Sequence, residues 1–244
     1  GRETDDGAEK ANEKMLNAAD SSEPFFGFIN YVETHDPYDP PKEYVEDFLE
    51  DYSYEDAMEI SDNSDLVEYL KESPEEAEVL EDLYDGEIKY LDFRIGELVE
   101  NIREKSDGET IVVIASDHGE NFDEGDNLWG HYGKITRELV HVPLIVNGLK
   151  EGEVSESFSL RNLHDLILGL TERELDIEVS EKVITEYWGL ESHYWDLDTE
   201  EFRPELLQTQ KSLASDKFSL WGENFEENLS EEERDYISIR CGEP

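Results

Sequence analysis

The chain has 244 residues and a formal net charge of -46, because 66 Asp and Glu residues stand against only 20 Lys and Arg. Hydrophobic residues make up 36% of it, enough for a buried core, so the charge indicates an acidic surface rather than disorder. This composition excludes the basic footprint of a nucleic-acid-binding protein, the single Cys241 excludes an intrachain disulfide, and no apolar run approaches the ~20 residues of a membrane span.

The acidic residues are spread along the whole chain, from Glu3 to Glu243. At ~1 M salt the Debye length falls to ~3 Å, so the repulsion between these charges is screened. The pattern therefore predicts a protein from a salt-loving organism, and it favours a location in the cytoplasm of such a cell. A calcium-buffering protein or an acidic interaction module would concentrate its charge, and no EF-hand loop pattern occurs in the sequence.

The first predicted elements are a helix over residues 4–20 and a buried strand over residues 25–32. The helix follows from apolar residues at spacings near three and four, and the strand from an apolar run rich in Phe. Residues 33–41 then predict a rigid loop, because its prolines preclude regular structure. His35 lies in this loop, so a polar side chain follows the carboxyl end of an apolar strand.

The acidic segment of residues 42–82 predicts a helical surface insertion that is broken at Pro74 and carries no candidate catalytic or ligand-binding residue. Residues 85–105 predict the clearest helix of the chain, because apolar residues recur there at alternating spacings of three and four. Those residues form one apolar stripe, made of Ile88, Leu91, Ile95, Leu98 and Ile102. Residues 106–108 end the helix and lead into the next strand, a helix-to-strand unit typical of α/β proteins.

An apolar, β-branched run at residues 111–115 is followed by Asp117, His118 and Gly119. Such a run predicts a buried strand of a parallel sheet, and ligands of open α/β sheets lie beyond the carboxyl ends of the strands. An oxygen ligand beside a nitrogen ligand suits a divalent metal, and Gly119 permits a tight turn. The alternative is a polar turn in which Asp117 caps the next helix, and the segment alone leaves both interpretations open.

The rest of the chain predicts further elements of the α/β class. A Gly-rich loop over residues 121–133 contains His131 and precedes Lys134. The loop is followed by a strand over residues 140–146, a short amphipathic helix over 158–170, a strand over 182–187, and short antiparallel strands at 217–221 and 236–239.

Half of the six histidines follow apolar strands or lie in their adjoining loops: His35, His118 and His131. If these strands neighbour one another, the imidazoles converge on one edge of the sheet. Lys134 adds a scarce cation near the same turn, which would suit an anionic substrate. The remaining histidines are interpreted as structural or surface residues: His141, His164 and His193.

Several blocks of the sequence together resemble the sulfatase family of the alkaline phosphatase superfamily. They occur in the family's order and at similar spacing, over about residues 8–150 and more loosely over 158–190. The blocks are residues 24–38, which end in Thr34-His35-Asp36-Pro37-Tyr38, residues 84–92, the Ser116-Asp117-His118-Gly119-Glu120 turn, Gly130-His131 and residues 142–146. The acidic character resembles that of sulfatase-like proteins of halophilic archaea.

The resemblance implies an α/β/α sandwich with a smaller C-terminal sheet subdomain. Residues 1–150 would form part of the sulfatase core, and residues 151–244 the rest of the core and the C-terminal subdomain. Asp117 and His118 match the second pair of ligands for a divalent cation, either Ca, Mg or Mn. His35 matches a histidine that binds the sulfate or the leaving oxygen. His131, with Lys134 as the alternative, matches the basic residue that follows the metal pair.

The sequence also departs from the family pattern. Neither the first metal-binding aspartates nor the nucleophile segment, Cys/Ser-x-Pro-x-Arg with its cysteine matured to formylglycine, is present, and the segment at Cys241 does not fit. We therefore expect a C-terminal portion of a sulfatase whose formylglycine and remaining ligands lie in a missing N-terminal part of the parent protein. Without a nucleophile, this chain alone is expected to be inactive.

The leading hypothesis is a metal-dependent hydrolase of sulfate esters with an anionic substrate. A phosphodiesterase, phosphonate hydrolase or phosphoglycerol transferase on the same scaffold is the close alternative, because sulfate and phosphate esters require similar cation clamps. The alternative from a different class is a non-catalytic, sulfatase-like binding or structural protein.

Overall fold

A computed structural model of the chain describes residues 7–19, 24–63, 66–106, 109–122, 129–131, 135–148, 157–172, 179–180, 183–187, 210–214 and 219–220. The chain divides into two compact units. The first contains Gly1–Val112 and Phe122–Asn127, and the second contains Val113–Asn121 and Leu128–Pro244. The predicted division of the family core at residue 150 stays a prediction.

The described part of the first unit is helical. Its α-helices are α1 (Gly7–Ala18), α2 (Lys42–Val45), α3 (Tyr54–Ser61), α4 (Leu66–Glu72) and α5 (Ala77–Lys105), with a 3-10 turn at Pro74–Glu76 before α5. Helix α3 begins after Ser53, whose hydroxyl oxygen accepts a hydrogen bond from the amide of Asp56. The predicted helices over residues 4–20 and 85–105 are confirmed as α1 and α5, and α5 begins earlier than predicted.

Helix α5 is the centre of this unit, because α1, α2 and α3 all pack against it. The predicted apolar stripe is right at Leu98 and Ile102, which are buried, and wrong at Ile88, which is 45% exposed. Near its C-terminal end, Leu98 and Ile102 form a cluster with Ala19 after α1. Further along the helix, the buried face includes Val79, Leu80, Leu83, Glu87 and Tyr90.

The acidic segment of residues 42–82 is not the plain surface insertion that the sequence predicts. Helices α2 and α3 pack against α5, and Val45, Ala57 and Ile60 are buried. A Cβ atom added to Gly86 would lie 2.7 Å from Cβ of Val45, so the glycine lets α2 approach α5 closely. The segment is therefore part of the core of the first unit.

The predicted strand over residues 25–32 is wrong, since residues 24–32 form no strand. Their side chains still alternate near the end of the run: Ile29 and Tyr31 are half-buried, whereas Phe28 and Val32 are 79% and 59% exposed. A strand requires backbone pairing, and among the described residues no segment pairs with this one. The apolar run was readable from the sequence, but the missing partner was not.

The strands elsewhere in the described residues form four small sheets. Strands β1 (Val112–Ala115) and β4 (Leu144–Asn147) pair with each other, as do β2 (Asn121–Phe122) and β3 (Trp129–Gly130). Strands β5 (Ser157–Phe158) and β6 (Val179–Ser180) pair antiparallel. Strands β7 (Val183–Tyr187), β8 (Gln210–Ala214) and β9 (Ser219–Leu220) form an antiparallel sheet in which Val183 pairs with Ala214 and Leu213 with Leu220.

These elements, with α6 (Arg137–Val140) and α7 (Leu163–Glu172), confirm the α/β class. The helix predicted at 158–170 and the strand at 182–187 are confirmed as α7 and β7, and β9 confirms part of the strand at 217–221. The strand predicted over 140–146 starts later, at Leu144, because α6 extends to Val140. The strand predicted at 236–239 lies outside the described residues.

Strand β1 is half-buried rather than buried on both faces, and the preceding Ile111 is 37% exposed. In the part of the chain that the structure describes, its pairing partner is β4, which is also half-exposed. Among the described residues no strand pairs with the other edge of β1, so β1 does not have the cover of a central strand there. None of the helices among the described residues has both the length and the apolar character that crossing a bilayer requires.

Candidate functional site

The turn after β1 is shaped by hydrogen bonds within its own residues. The hydroxyl of Ser116 donates to the carbonyl oxygen of His118, and the amide of His118 donates to Oδ1 of Asp117 over 3.1 Å. The side chain of Asp117 is exposed, and the chain continues through irregular residues into β2. The alternative in which Asp117 caps a following helix is therefore wrong.

Gly119 is required here because another backbone segment passes directly over it. Its amide donates to the carbonyl oxygen of Leu139 over 2.9 Å, and a Cβ atom at this position would lie 1.9 Å from the carbonyl oxygen of Glu138. The backbone of Gly119 is not left-handed, so the glycine serves close approach rather than an unusual turn. This contact fixes the turn against α6.

The imidazoles of His118 and His131 are neighbours in the second unit. Their ring centroids are 4.4 Å apart and their planes are inclined by 34°. Nδ1 of His131 lies 3.2 Å from Oε1 of Glu120, whose side chain is only 5% exposed. The turn and the loop of β3 thus bring two imidazoles and a nearly buried carboxylate together.

The protonation of the histidine rings follows from these contacts. Nδ1 of His118 is 2.8 Å from the carbonyl oxygen of Gly119, and Nδ1 of His35 is 2.8 Å from the carbonyl oxygen of Asp36. A carbonyl oxygen only accepts, so each Nδ1 carries a hydrogen, and Nε2 is the ring nitrogen that remains for a ligand. Metal-binding and ligand-binding histidines are commonly oriented in this way. Exposed His164 has a similar contact with Asp165, so the contact alone does not mark a site.

Asn121 holds the loop that carries His131. It is 1% exposed, its Nδ2 donates to the carbonyl oxygen of Gly130 over 2.9 Å, and its Oδ1 accepts from the hydroxyl of Thr136 over 2.6 Å. Gly130 has a φ of 72°, a conformation that favours glycine, and it directly precedes His131. Sequence reasoning missed both Asn121 and Glu120, because nothing local distinguishes them from the many other polar residues of this chain.

The structure describes the other residues singled out in the sequence to different extents. His35 belongs to the first unit and its side chain is 49% exposed. Its sharing of a ligand with His118 stays a prediction. Lys134 and His193 lie outside the described residues. His141 is exposed, and its backbone amide closes the last turn of α6 by donating to Arg137, while the side chain of His164 is 77% exposed.

A divalent cation would find one carboxylate and one imidazole at Asp117 and His118. Both donor types suit such an ion, but Ca²⁺ takes about six to eight oxygen ligands and Mg²⁺ requires a near-octahedral shell. Among the described residues there is no group of three or more His, Cys, Asp or Glu side chains that could hold a metal ion. The two predicted ligands therefore fit in kind but do not make a complete site.

Residues 2–168 match the family model described as Sulfatase. This range is more than half of the 244 residues. It includes the His35 loop, the turn with Asp117 and His118, and the loop with His131. No curated protein matches the chain.

Proposed function

This chain belongs to the sulfatase family, and we propose from that premise that it contributes the ester-binding half of a site for sulfate ester hydrolysis. The observation that supports the proposal best is the contact between the imidazoles of His118 and His131, with the carboxylate of Glu120 3.2 Å from Nδ1 of His131. Imidazoles whose Nδ1 atoms are held by oxygen acceptors present Nε2 to a ligand in a fixed direction.

The proposed roles follow the donor chemistry of each residue. Nε2 of His131 and of His35, where it carries a hydrogen, would donate a hydrogen bond to the sulfate or to the leaving oxygen, with Lys134 as the alternative to His131. Such donors matter in a chain with a net charge of -46, because the acidic surface otherwise repels an anionic ester. Asp117 and His118 would supply part of the shell of a divalent cation.

Sulfatases generally use a divalent metal cation, and Ca, Mg or Mn is proposed here. When bound, such an ion neutralises charge on the ester oxygens. The two proposed ligands leave most of the shell to other groups, so we propose weak metal binding by residues 1–244 alone.

No Cys/Ser-x-Pro-x-Arg segment occurs in the sequence, so these residues supply no nucleophile of the family type. We propose that turnover requires that segment from another part of the parent protein and that this chain by itself binds anions without hydrolysing them. A phosphate ester remains the alternative substrate. The even spread of acidic residues supports the proposal that the protein comes from a salt-loving organism.

The proposal is tested in molar KCl with Ca²⁺, Mg²⁺ or Mn²⁺. Calorimetry with nitrophenyl sulfate, and with the corresponding phosphodiester, measures binding, and release of nitrophenol measures turnover. We expect binding without turnover, and binding that weakens in the Asp117→Ala, His118→Ala double variant relative to an Asp92→Ala control. Turnover that Asp117→Ala abolishes would contradict the proposal, because it would require a nucleophile on this chain.

A further inference from the structure

The loop that carries His35 is anchored at three consecutive residues by side chains from two helices. The carbonyl oxygen of Tyr38 accepts from the hydroxyl of Ser61 over 2.8 Å. The amide of Asp39 donates to Oε1 of Glu87 over 2.9 Å, and the carbonyl oxygen of Pro40 accepts from the hydroxyl of Tyr54 over 3.0 Å. Ser61 and Tyr54 come from α3 and Glu87 from α5.

Glu87 is the most deeply buried of these anchors. The residue is 1% exposed, and the loop residue Tyr38 beside it is 4% exposed. Burial of a carboxylate costs free energy unless hydrogen bonds offset it. A buried Glu that accepts a hydrogen bond from a loop amide therefore stabilises the core less than an apolar side chain of similar size would. Leucine would fill similar space at lower cost but would leave the Asp39 amide without this acceptor.

The other end of the loop is anchored as well. Glu33 is 5% exposed, and its Oε2 accepts from the amide of Val32 over 2.9 Å. The hydroxyl of Tyr31 donates to Oδ1 of Asn12 in α1 over 2.5 Å. Between these two anchored ends, His35 is half-exposed, so the loop backbone rather than side-chain packing sets its position.

We propose that Glu87 is a positioning residue, which holds the loop of residues 33–41 so that His35 is presented to an anionic ester. The assignment of a ligand to His35 rests on the proposed function, and the holding of the loop does not. Glu87 acts on the ligand only through the Asp39 amide and the loop. The acidic helix α3 contributes to the same task through Ser61 and Tyr54.

The test compares two variants. Glu87→Leu removes the acceptor, whereas Glu87→Gln keeps an acceptor oxygen on a side chain of the same length. Glu100→Leu, at an exposed position of the same helix, is the matched control. Ser61→Ala removes an anchor from the other helix and covers the case in which Glu87→Leu fails to fold. Each full-length variant is studied in molar KCl by amide hydrogen exchange and by NMR of the His35 ring during titration with inorganic sulfate.

Glu87→Leu leaves the half-buried amide of Asp39 without this acceptor, so hydrogen exchange at Asp39 should accelerate by about tenfold or more. The His35 ring signal should shift, and sulfate affinity at His35 should fall about tenfold. In Glu87→Gln and Glu100→Leu, the Asp39 exchange rate and the sulfate affinity should stay within about twofold of the values of the parent chain. Ser61→Ala should shift the same His35 signal while exchange within α5 is unchanged.

An unchanged His35 signal and Asp39 exchange rate in a folded Glu87→Leu variant, or in Ser61→Ala if the former does not fold, would overturn the proposal. Equal changes in Asp39 exchange and in sulfate affinity in Glu87→Gln and Glu87→Leu would also overturn the proposal, because the hydrogen-bond acceptor would then not matter. If sulfate leaves His35 of the parent chain unaffected, the proposed function fails at this residue. The ligand-free His35 signal and the Asp39 exchange rate then decide the positioning role by themselves.

Discussion

The rings of His118 and His131 are in contact, with centroids 4.4 Å apart, although twelve residues separate the two along the chain. This contact allows the ring of His131 and its nitrogen atoms to be tested separately. His131→Phe keeps an aromatic ring beside His118 but removes both nitrogens, whereas His131→Ala removes ring and nitrogens together.

We expect both His131 variants to lose sulfate affinity by about tenfold, since each removes a hydrogen bond to a charged ligand. Only His131→Ala should also shift the NMR signals of the His118 ring. His164→Ala, on the exposed surface of α7, should change neither measurement. Sulfate affinity that survives in His131→Phe would show that Nε2 of His131 does not contact the ligand.

Two glycine-to-alanine substitutions should change the free energy of unfolding in opposite directions. Gly119→Ala places a Cβ atom 1.9 Å from a backbone oxygen and should destabilise the fold by about 1–3 kcal/mol while disturbing the His118 signals. Gly96→Ala, in α5 with no atom within 4 Å of the added Cβ, should stabilise the fold by about 1 kcal/mol. Urea unfolding measures both, and a neutral Gly119→Ala would contradict the close approach of α6.

Asp82 on α5 should make the stability of the fold depend on pH. Burial and the neighbouring carboxylates of Asp85, Glu81, Glu78 and Glu50 raise its pKa from 3.8 to about 6. The folded state therefore binds a proton more tightly than the unfolded chain. Its contribution to stability is complete below the unfolded pKa of 3.8 and is lost as the pH rises through about 6.

Asp82→Asn should consequently increase the free energy of unfolding at pH 7, by on the order of 1 kcal/mol after discounting for solvent screening. The gain should vanish near pH 4, where the parent side chain is itself protonated, and it should shrink in high salt. Asp92→Asn, at an exposed position of the same helix, corrects for the loss of one negative charge. A gain of equal size at both pH values would rule out the raised pKa as its cause.

The net charge of -46 predicts that the whole fold depends on salt. Lowering KCl from ~1 M to ~50 mM lengthens the range of repulsion between the acidic residues and should lower the free energy of unfolding. Urea unfolding followed by tryptophan fluorescence measures the change, with NaCl as a check for effects specific to potassium. An equally cooperative transition at the same urea concentration in both buffers would remove the case for a salt-loving origin.

Patterns within a single element were predictable from the sequence. The stripe of α5 shows in its spacing of apolar residues, and α1 shows in a similar spacing of its own apolar residues. Both depend on residues a few positions apart. The turn at Asp117 and His118 was placed correctly after β1, because an apolar run that ends in polar residues marks the end of a strand.

Contacts between distant segments were not predictable. The hydrogen bond between Asp39 and Glu87 joins residues 48 positions apart. Glu87 is one of 66 acidic residues, so its burial leaves no trace in the composition. The prediction of a strand over residues 25–32 was wrong for a related reason, since an apolar run does not say whether a neighbouring strand is present. The hydrogen bond between Asn121 and Thr136 likewise forms only in the folded chain.

The exposed side chains of Phe26 and Phe28, at 73% and 79%, affect how molecules of this protein meet in solution. With Phe25 and the aliphatic part of α1 they line an open apolar groove of about 520 Å³. Dilute buffer keeps such surfaces apart through charge repulsion between molecules, whereas salts that screen the charge remove this barrier, and salting-out anions such as sulfate also strengthen apolar contacts. We therefore expect colloidal stability to fall under the same high-salt conditions that favour the folded state.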